Sequence, residues 1–172
     1  ILPRPILRTS PLMSKRKAIV TGASSKRVDD KPTVTVAIDF GTAGTGYAYS
    51  FTGSDVIEAK EPGGQDARKT LTNLLLNSDG SFRAFGYDAR RIYSEANEGM
   101  FFTNYKMLLE NVGSHGQTNA KALNDRLVPL MEGITKTLEY VKGEALKECG
   151  RALPNGLSAR DCQWVVTIPA IW

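Results

Sequence analysis

The stretch PTVTVAIDFGTAGTGYAYSF, residues 32–51, decides how the chain reads. Val34, Val36, Ile38 and Phe40 alternate with Thr35, Ala37 and Asp39, the period-two pattern of a strand rich in β-branched residues. Gly41, Gly44 and Gly46 then permit a tight reversal, because glycine accepts positive φ without steric cost. Tyr47 to Phe51 has the composition of a returning strand. The turn aims a carboxylate and a run of backbone amides at one place. With few side chains in the way, those amides can approach phosphate oxygens closely. Thr42 and Thr45 add hydroxyl donors, and Ala43 completes the loop. Asp39, at the strand end, can orient waters around magnesium, which keeps most of its hydration shell and prefers carboxylate oxygen. An ordinary Gly-rich hairpin whose aspartate opens the turn uses the same residues, so the motif alone leaves both readings open. The strands on either side favour the phosphate site.

Two other nucleotide motifs are excluded. No Gly-Lys-Ser/Thr follows the turn, so it is not a P-loop, and a strand rather than a helix comes next, so it is not a dinucleotide fingerprint. Upstream, KAIVTGASS at 17–25 looks like the first strand and turn of a short-chain dehydrogenase. KRVDDKP follows where that family needs more glycine and a long helix, and Pro32 leaves no room for a crossover of about ten or more residues.

The charge is unevenly spread. Of 172 residues with a formal net charge of +4, residues 1–31 hold eight Lys and Arg against two acids, leaving the remainder slightly acidic. The basic character therefore belongs to the leader. Its Ser-, Thr-, Pro- and Arg-rich composition cannot bury enough apolar surface to fold, so residues 1–32 are expected to be a disordered basic leader. A transit peptide or an arm for nucleic acid or an acidic partner would share that composition, but a solvated leader fits it best, with no specific nucleic-acid partner. Nowhere is there an apolar run of membrane-spanning length or a signal-peptide core. Cys149 and Cys162, the only cysteines, sit in helical and strand-like contexts that fit reduced thiols of a cytoplasmic protein. The one histidine, His115, lies in a polar loop without the companions a zinc site needs.

Beyond the hairpin, Asp55 to Ala59 is expected to add a third strand and Glu61 to Lys69 a polar loop. Leu71–Leu76 and Ser81–Phe85 flank the turn signal NSDG and predict a second hairpin. Tyr87 to Asn97 reads as a short helix with Ala89, Ile92, Tyr93 and Ala96 on one face. In FFTNYKMLLE, residues 101–110, Lys106 stands among apolar and aromatic neighbours. There it either snorkels from the surface or points into a cleft as a charge for phosphate. Leu127, Leu130, Met131, Ile134, Leu138, Val141, Ala145 and Cys149 predict the longest helix, with a core face that carries no chemistry. Gln163 to Ile168 reads as a buried strand, and the PAIW corner that follows should feed a further element, as in part of a longer protein.

In this order the pieces resemble the nucleotide-binding domain of the 70-kilodalton heat-shock proteins, within the actin-like ATPase superfamily. IDFGT at 38–42 looks like the first phosphate loop, Lys106 of NYKMLLE falls where that family carries its catalytic lysine, and VVTIPAIW at 165–172 looks like its strand ending in Val-Pro-Ala-Tyr-Phe. The wording of the first and third motifs fits best the divergent heat shock 70 kDa protein 12 branch. The resemblance implies an α/β, ribonuclease H-like first lobe over residues 33–172: a mixed, five-stranded type of sheet with helices and a small inserted α/β subdomain. It further implies ATP or ADP with Mg2+ as cofactor. Asp39 would hold the metal's water shell, Gly41, Thr42, Ala43, Gly44 and Thr45 would form the phosphate loop, and Lys106 would face the γ-phosphate. Pro169 would lie in the corner that passes nucleotide state to partner regions, with protein partners expected and no membrane.

Two departures bear on that expectation. Many members carry a second threonine where this chain has Ala43 and a larger side chain where it has Gly44; one lost hydroxyl donor is worth about 0.5–1.5 kcal/mol. The second phosphate loop, the adenosine segment and the other half of the cleft lie outside these residues, so this chain alone is expected not to be an active ATPase. The branch also lacks the standard peptide-binding domain, so a chaperone-like or stress-response role does not follow automatically. Three functions remain: a weakly hydrolysing ATP-binding protein, a non-catalytic scaffold of the same fold, and a sugar kinase of the superfamily. Lys106 and the TIPAIW corner argue against the kinase.

Overall fold

The computed structural model describes residues 17–20, 31–64, 67–111 and 118–168. Most of the basic leader, His115 and the PAIW corner with Pro169 lie outside the described residues. The alternating stretch folds as expected: β2 (Val34–Phe40) and β3 (Gly44–Phe51) pair antiparallel, with Val34 opposite Phe51 and Phe40 opposite Thr45. Val34, Val36, Ile38 and Phe40 are buried, while Thr35, Ala37 and Asp39 are half-buried. β11 (Cys162–Ile168) runs parallel to β2, with Val166 beside Ile38. A parallel neighbour needs a long crossover, and everything from β3 to the second helix supplies it.

The main sheet has six strands in the order β1-β11-β2-β3-β4, with β5 also on β3. Two of them were not expected. Inside the leader, Lys17–Val20 forms β1, antiparallel to β11, the same KAIV run whose strand character drew the dehydrogenase comparison. The two-residue β5 (Thr70–Leu71) pairs with Gly44 and Thr45. The third strand, expected at 55–59, is the shorter and later β4 (Glu58–Lys60); Val56 and Ile57 are left exposed in the loop before it.

The second hairpin forms from β6 (Leu74–Leu76) and β7 (Phe82–Phe85), joined by a turn in which Gly80 takes a φ of 88°. β8 (Met100–Phe102) pairs on the other side of β6, making a small three-stranded sheet. Helix α1 (Gly86–Ala96) covers it, with Ala89 buried and Tyr93 stacked on Phe101 at 4.8 Å between ring centres. Ala96, assigned to the inner face by its spacing, is exposed in the last turn. A short 3-10 helix (Tyr105–Asn111) follows.

The longest helix begins later than its pattern indicates. Leu127–Pro129 is strand β10, paired with β9 (Asn119–Lys121), and helix α2 runs Leu130–Gly150. Pro129 fixes its own φ and lacks an N–H, so it suits a residue just before a helix. Leu127 and Met131 are exposed rather than in the core stripe. Gly133 and Thr137 take inner positions with Leu130, Ile134, Val141, Ala145 and Cys149. That face joins the buried side chains of β2, β3 and β6 in one core. Cys149 and Cys162 are free thiols, and burial pushes both up to about 11.

Leu74 is 1% exposed at the junction of the two layers. Leu74→Ala should cost about 2–5 kcal/mol, read as a lower urea midpoint with an unchanged slope.

Candidate functional site

The C-terminal end of β2 gathers the residues the sequence singled out. Asp39 is half-buried, and its carboxylate is held from two sides. The Thr167 hydroxyl donates to Oδ1 at 3.0 Å, and Lys69 Nζ donates to Oδ2 at 2.5 Å. Thr167 arrives there because the parallel register of β11 on β2, carried one residue past Val166–Ile38, sets it beside Asp39.

The loop after Asp39 is pinned from behind. Gly41 N–H donates to the Gly44 carbonyl at 3.1 Å, closing the reversal. Thr72 then ties three points of it. Its amide donates to the Ala43 carbonyl at 3.1 Å, its hydroxyl donates to the Gly41 carbonyl at 2.7 Å, and Thr45 Oγ1 lies 2.8 Å from Thr72 Oγ1. Since the Thr72 proton is committed to Gly41, Thr45 donates in that last pair. Both threonines are fully buried, so these bonds replace water that cannot reach them. The amides of Thr42 and Ala43 enter no hydrogen bond among the described residues, and Ala43 is exposed.

Gly41, Gly44 and Gly46 are not used as the sequence suggested. None of them adopts a positive φ. They are needed for close approach: a Cβ on Gly41 would sit 2.4 Å from the Gly44 carbonyl oxygen, and one on Gly46 2.3 Å from that of Arg68. Absence of side-chain volume, rather than left-handed backbone, makes the turn possible.

Lys106 is 4% exposed, which removes the snorkelling alternative. Its ammonium donates to the Phe40 carbonyl, next to Asp39 in the chain, and lies 4.9 Å from the centre of the Phe40 ring. A carbonyl and an aromatic face both stabilise a cation taken out of water. The neighbouring Tyr105 anchors the short helix: its hydroxyl is 2.6 Å from Thr137 Oγ1, and Thr137 donates to the Gly133 carbonyl one turn back in α2. Burial raises the Tyr105 pKa, and Thr137 partly opposes the shift.

A carboxylate at a strand end, two loop amides without a hydrogen bond among the described residues, and a buried cation on the Phe40 carbonyl thus lie on or against one short stretch, 39–43. That donor set suits an anion carrying its own cation, the character of a metal-bound polyphosphate. Among the described residues no cluster of three or more His, Cys, Asp or Glu could hold a metal by itself. No helix there is long and apolar enough to cross a membrane.

No family model matches the chain. Heat shock 70 kDa protein 12A of Mus musculus is 38% identical over 151 residues, and that of Homo sapiens 37% over 151. Heat shock 70 kDa protein 12B of Homo sapiens is 34% identical over 152 residues. Over the matched stretch the chain is similar to the heat shock 70 kDa proteins 12A and 12B. The match covers 81% of this chain but only 22% of each relative, so the chain spans about a fifth of the length of the heat shock 70 kDa proteins 12A and 12B it matches.

Lys69, Thr72, Thr167 and Tyr105 were not among the residues the sequence singled out. Lys69 was absorbed into a polar loop, Thr72 into a hairpin arm, and Thr167 into a buried strand. Only Thr167 carried a signal, as a lone hydroxyl in the apolar run VVTI.

Thr72→Val keeps the shape of the side chain but leaves the Gly41 carbonyl and the Thr45 hydroxyl buried without their partner. It should lower stability by about 1–3 kcal/mol in urea unfolding, whereas Thr42→Val, on the half-exposed loop, should change it by less than about 0.5 kcal/mol.

Proposed function

We propose that residues 33–172 are part of a heat-shock-70-type nucleotide-binding domain that holds the phosphates of Mg-ATP at the end of β2. The observation that carries this reading is that the buried Lys106 ammonium donates to the carbonyl of Phe40, the residue between Asp39 and the loop 41–45. Bound Mg-nucleotide would supply the transferable phosphoryl group and the metal's charge. On this chain, Asp39 would orient water on the metal, with Thr167 fixing the rotation of its carboxylate. The amides and hydroxyls of 41–45 would position the phosphate oxygens. Lys106, buried against Phe40, would neutralise charge at the terminal phosphate; positioning and electrostatics supply most of phosphoryl-transfer catalysis.

One residue favours a second reading within the same fold. Ala43, at the exposed tip, has no hydroxyl to offer a phosphate. A protein that binds nucleotide with little turnover, and acts as a nucleotide-dependent interaction module, fits that loss. Protein partners belong to both readings.

Titration calorimetry of Mg-ATP into the full-length protein separates them. Asp39→Ala should weaken Mg-ATP binding about tenfold or more, removing the one carboxylate of the rim. Lys106→Ala should abolish turnover while leaving affinity within a few-fold, if the protein hydrolyses ATP. Measurable binding without turnover in the wild type selects the interaction module, and no binding by a well-folded full-length protein rejects both readings.

A further inference from the structure

Lys69 is placed by bare backbone. A Cβ on Gly44 would meet Lys69 Cβ and Cδ at 3.7 Å, and one on Gly46 would meet Lys69 Cγ at 3.1 Å. Gly46 is the cross-strand partner of Asp39. The lysine stem therefore occupies the space that a side chain opposite Asp39 would fill, and it delivers the ammonium to Asp39 Oδ2 at 2.5 Å. The pair is not sealed in: the Lys69 side chain is 47% exposed and that of Asp39 26%. Since exposed ion pairs contribute little to stability, a lysine tracked across two glycines onto this carboxylate calls for another account.

Lys69 and Thr167 hold Asp39 in different ways. Thr167 holds Oδ1 as a neutral donor and can stay when a metal arrives. Lys69 holds Oδ2 as a full positive charge, and a divalent cation with its water shell cannot share that edge with an ammonium without strong repulsion. A metal-bound polyphosphate brings the remedy with it, because its anionic oxygens lie beside its cation. A flexible stem with a half-exposed ammonium can cross that short gap, and lysine binds phosphate well as a point charge.

Resting on the reading of this rim as a Mg-nucleotide site, we propose that Lys69 is its resident counter-cation and a phosphate ligand. Before nucleotide binds, Lys69 neutralises Asp39 and keeps the carboxylate aimed at the rim. When nucleotide-borne magnesium takes over Asp39, the ammonium moves to a phosphate oxygen. The Asp39 carboxylate has a cationic partner in both states, and the loop need not rearrange, since Thr72 holds it from behind.

Mg-ATP titration into full-length wild type, Lys69→Gln and Lys69→Arg, with thermal unfolding as the folding control, tests the assignment. Lys69→Gln should weaken Mg-ATP about tenfold, the loss of one charge-assisted contact, while Lys69→Arg stays within about threefold of wild type. Mg-ATP affinity of a stably folded Lys69→Gln within twofold of wild type overturns the proposal and leaves the underlying site intact. Equal losses in both variants mean that the stem merely packs over Gly46, and also overturn it. No Mg-ATP binding by the wild type overturns the site itself, and Lys69 with it.

Discussion

The parallel ladder between β2 and β11 fixes what every other part of the rim can do. It brings the end of the described chain back beside its most informative strand and sets Thr167 level with Asp39. Closing so long a loop is entropically unfavourable, and what offsets it is apolar. Val34 and Val36 are fully buried in the strand that β11 joins, and Val141, Ala145 and Cys149 of α2 press the same layer. The chemistry at the strand end is thus held by packing more than one turn away from it. That separation lets a carboxylate be half-exposed and still well oriented.

Around that strand end the charges are graded by burial. Asp39 and Lys69 border solvent, where an ion pair is weak and exchangeable. Lys106 is buried, where an ammonium is costly unless a carbonyl and ring dipoles meet it, as those of Phe40 do. Tyr105 and Thr137 bind the short helix that carries it to α2, so the cation cannot retreat to water by a loop shift. Among the described residues, the strand end thus has a half-exposed lysine on its carboxylate and a buried lysine on the next carbonyl.

Much of this was legible in the sequence, and the misses share a physical origin. Period-two alternation placed β2, strand composition placed the Tyr47–Phe51 part of β3, and the NSDG turn signal placed the second hairpin, because all three patterns are local. Helix α2 was placed too early because Leu127 continues the apolar spacing; only Pro129, which ends β10, marks the true start. β1 and β5 escaped for a different reason. A two-residue strand such as Thr70–Leu71 has no period to detect and exists only because β3 offers it an edge. β1 depends on the edge of β11 across most of the chain, a contact no local pattern announces. Asp39 and Lys106 were singled out from motif and resemblance, whereas Lys69 and Thr72 meet Asp39 and its loop through tertiary contacts that leave no local pattern.

The glycines show how a correct motif can carry the wrong reason. In the sequence, Gly41, Gly44 and Gly46 suggest a backbone that must turn through positive φ. In the fold they are bare positions that other chain segments use: the Gly44 carbonyl closes over Gly41, the Arg68 carbonyl over Gly46, and the Lys69 stem over Gly44 and Gly46. The distinction changes what substitution would do. A residue tolerant of left-handed backbone, such as asparagine, would rescue a turn glycine but not Gly41 or Gly46, because its Cβ alone collides with a carbonyl oxygen. The constraint at this loop is therefore one of volume, set at Gly41 by the loop's own reversal and at Gly44 and Gly46 by the segment 68–70 lying against it, and the loop and that segment are best understood as a single unit.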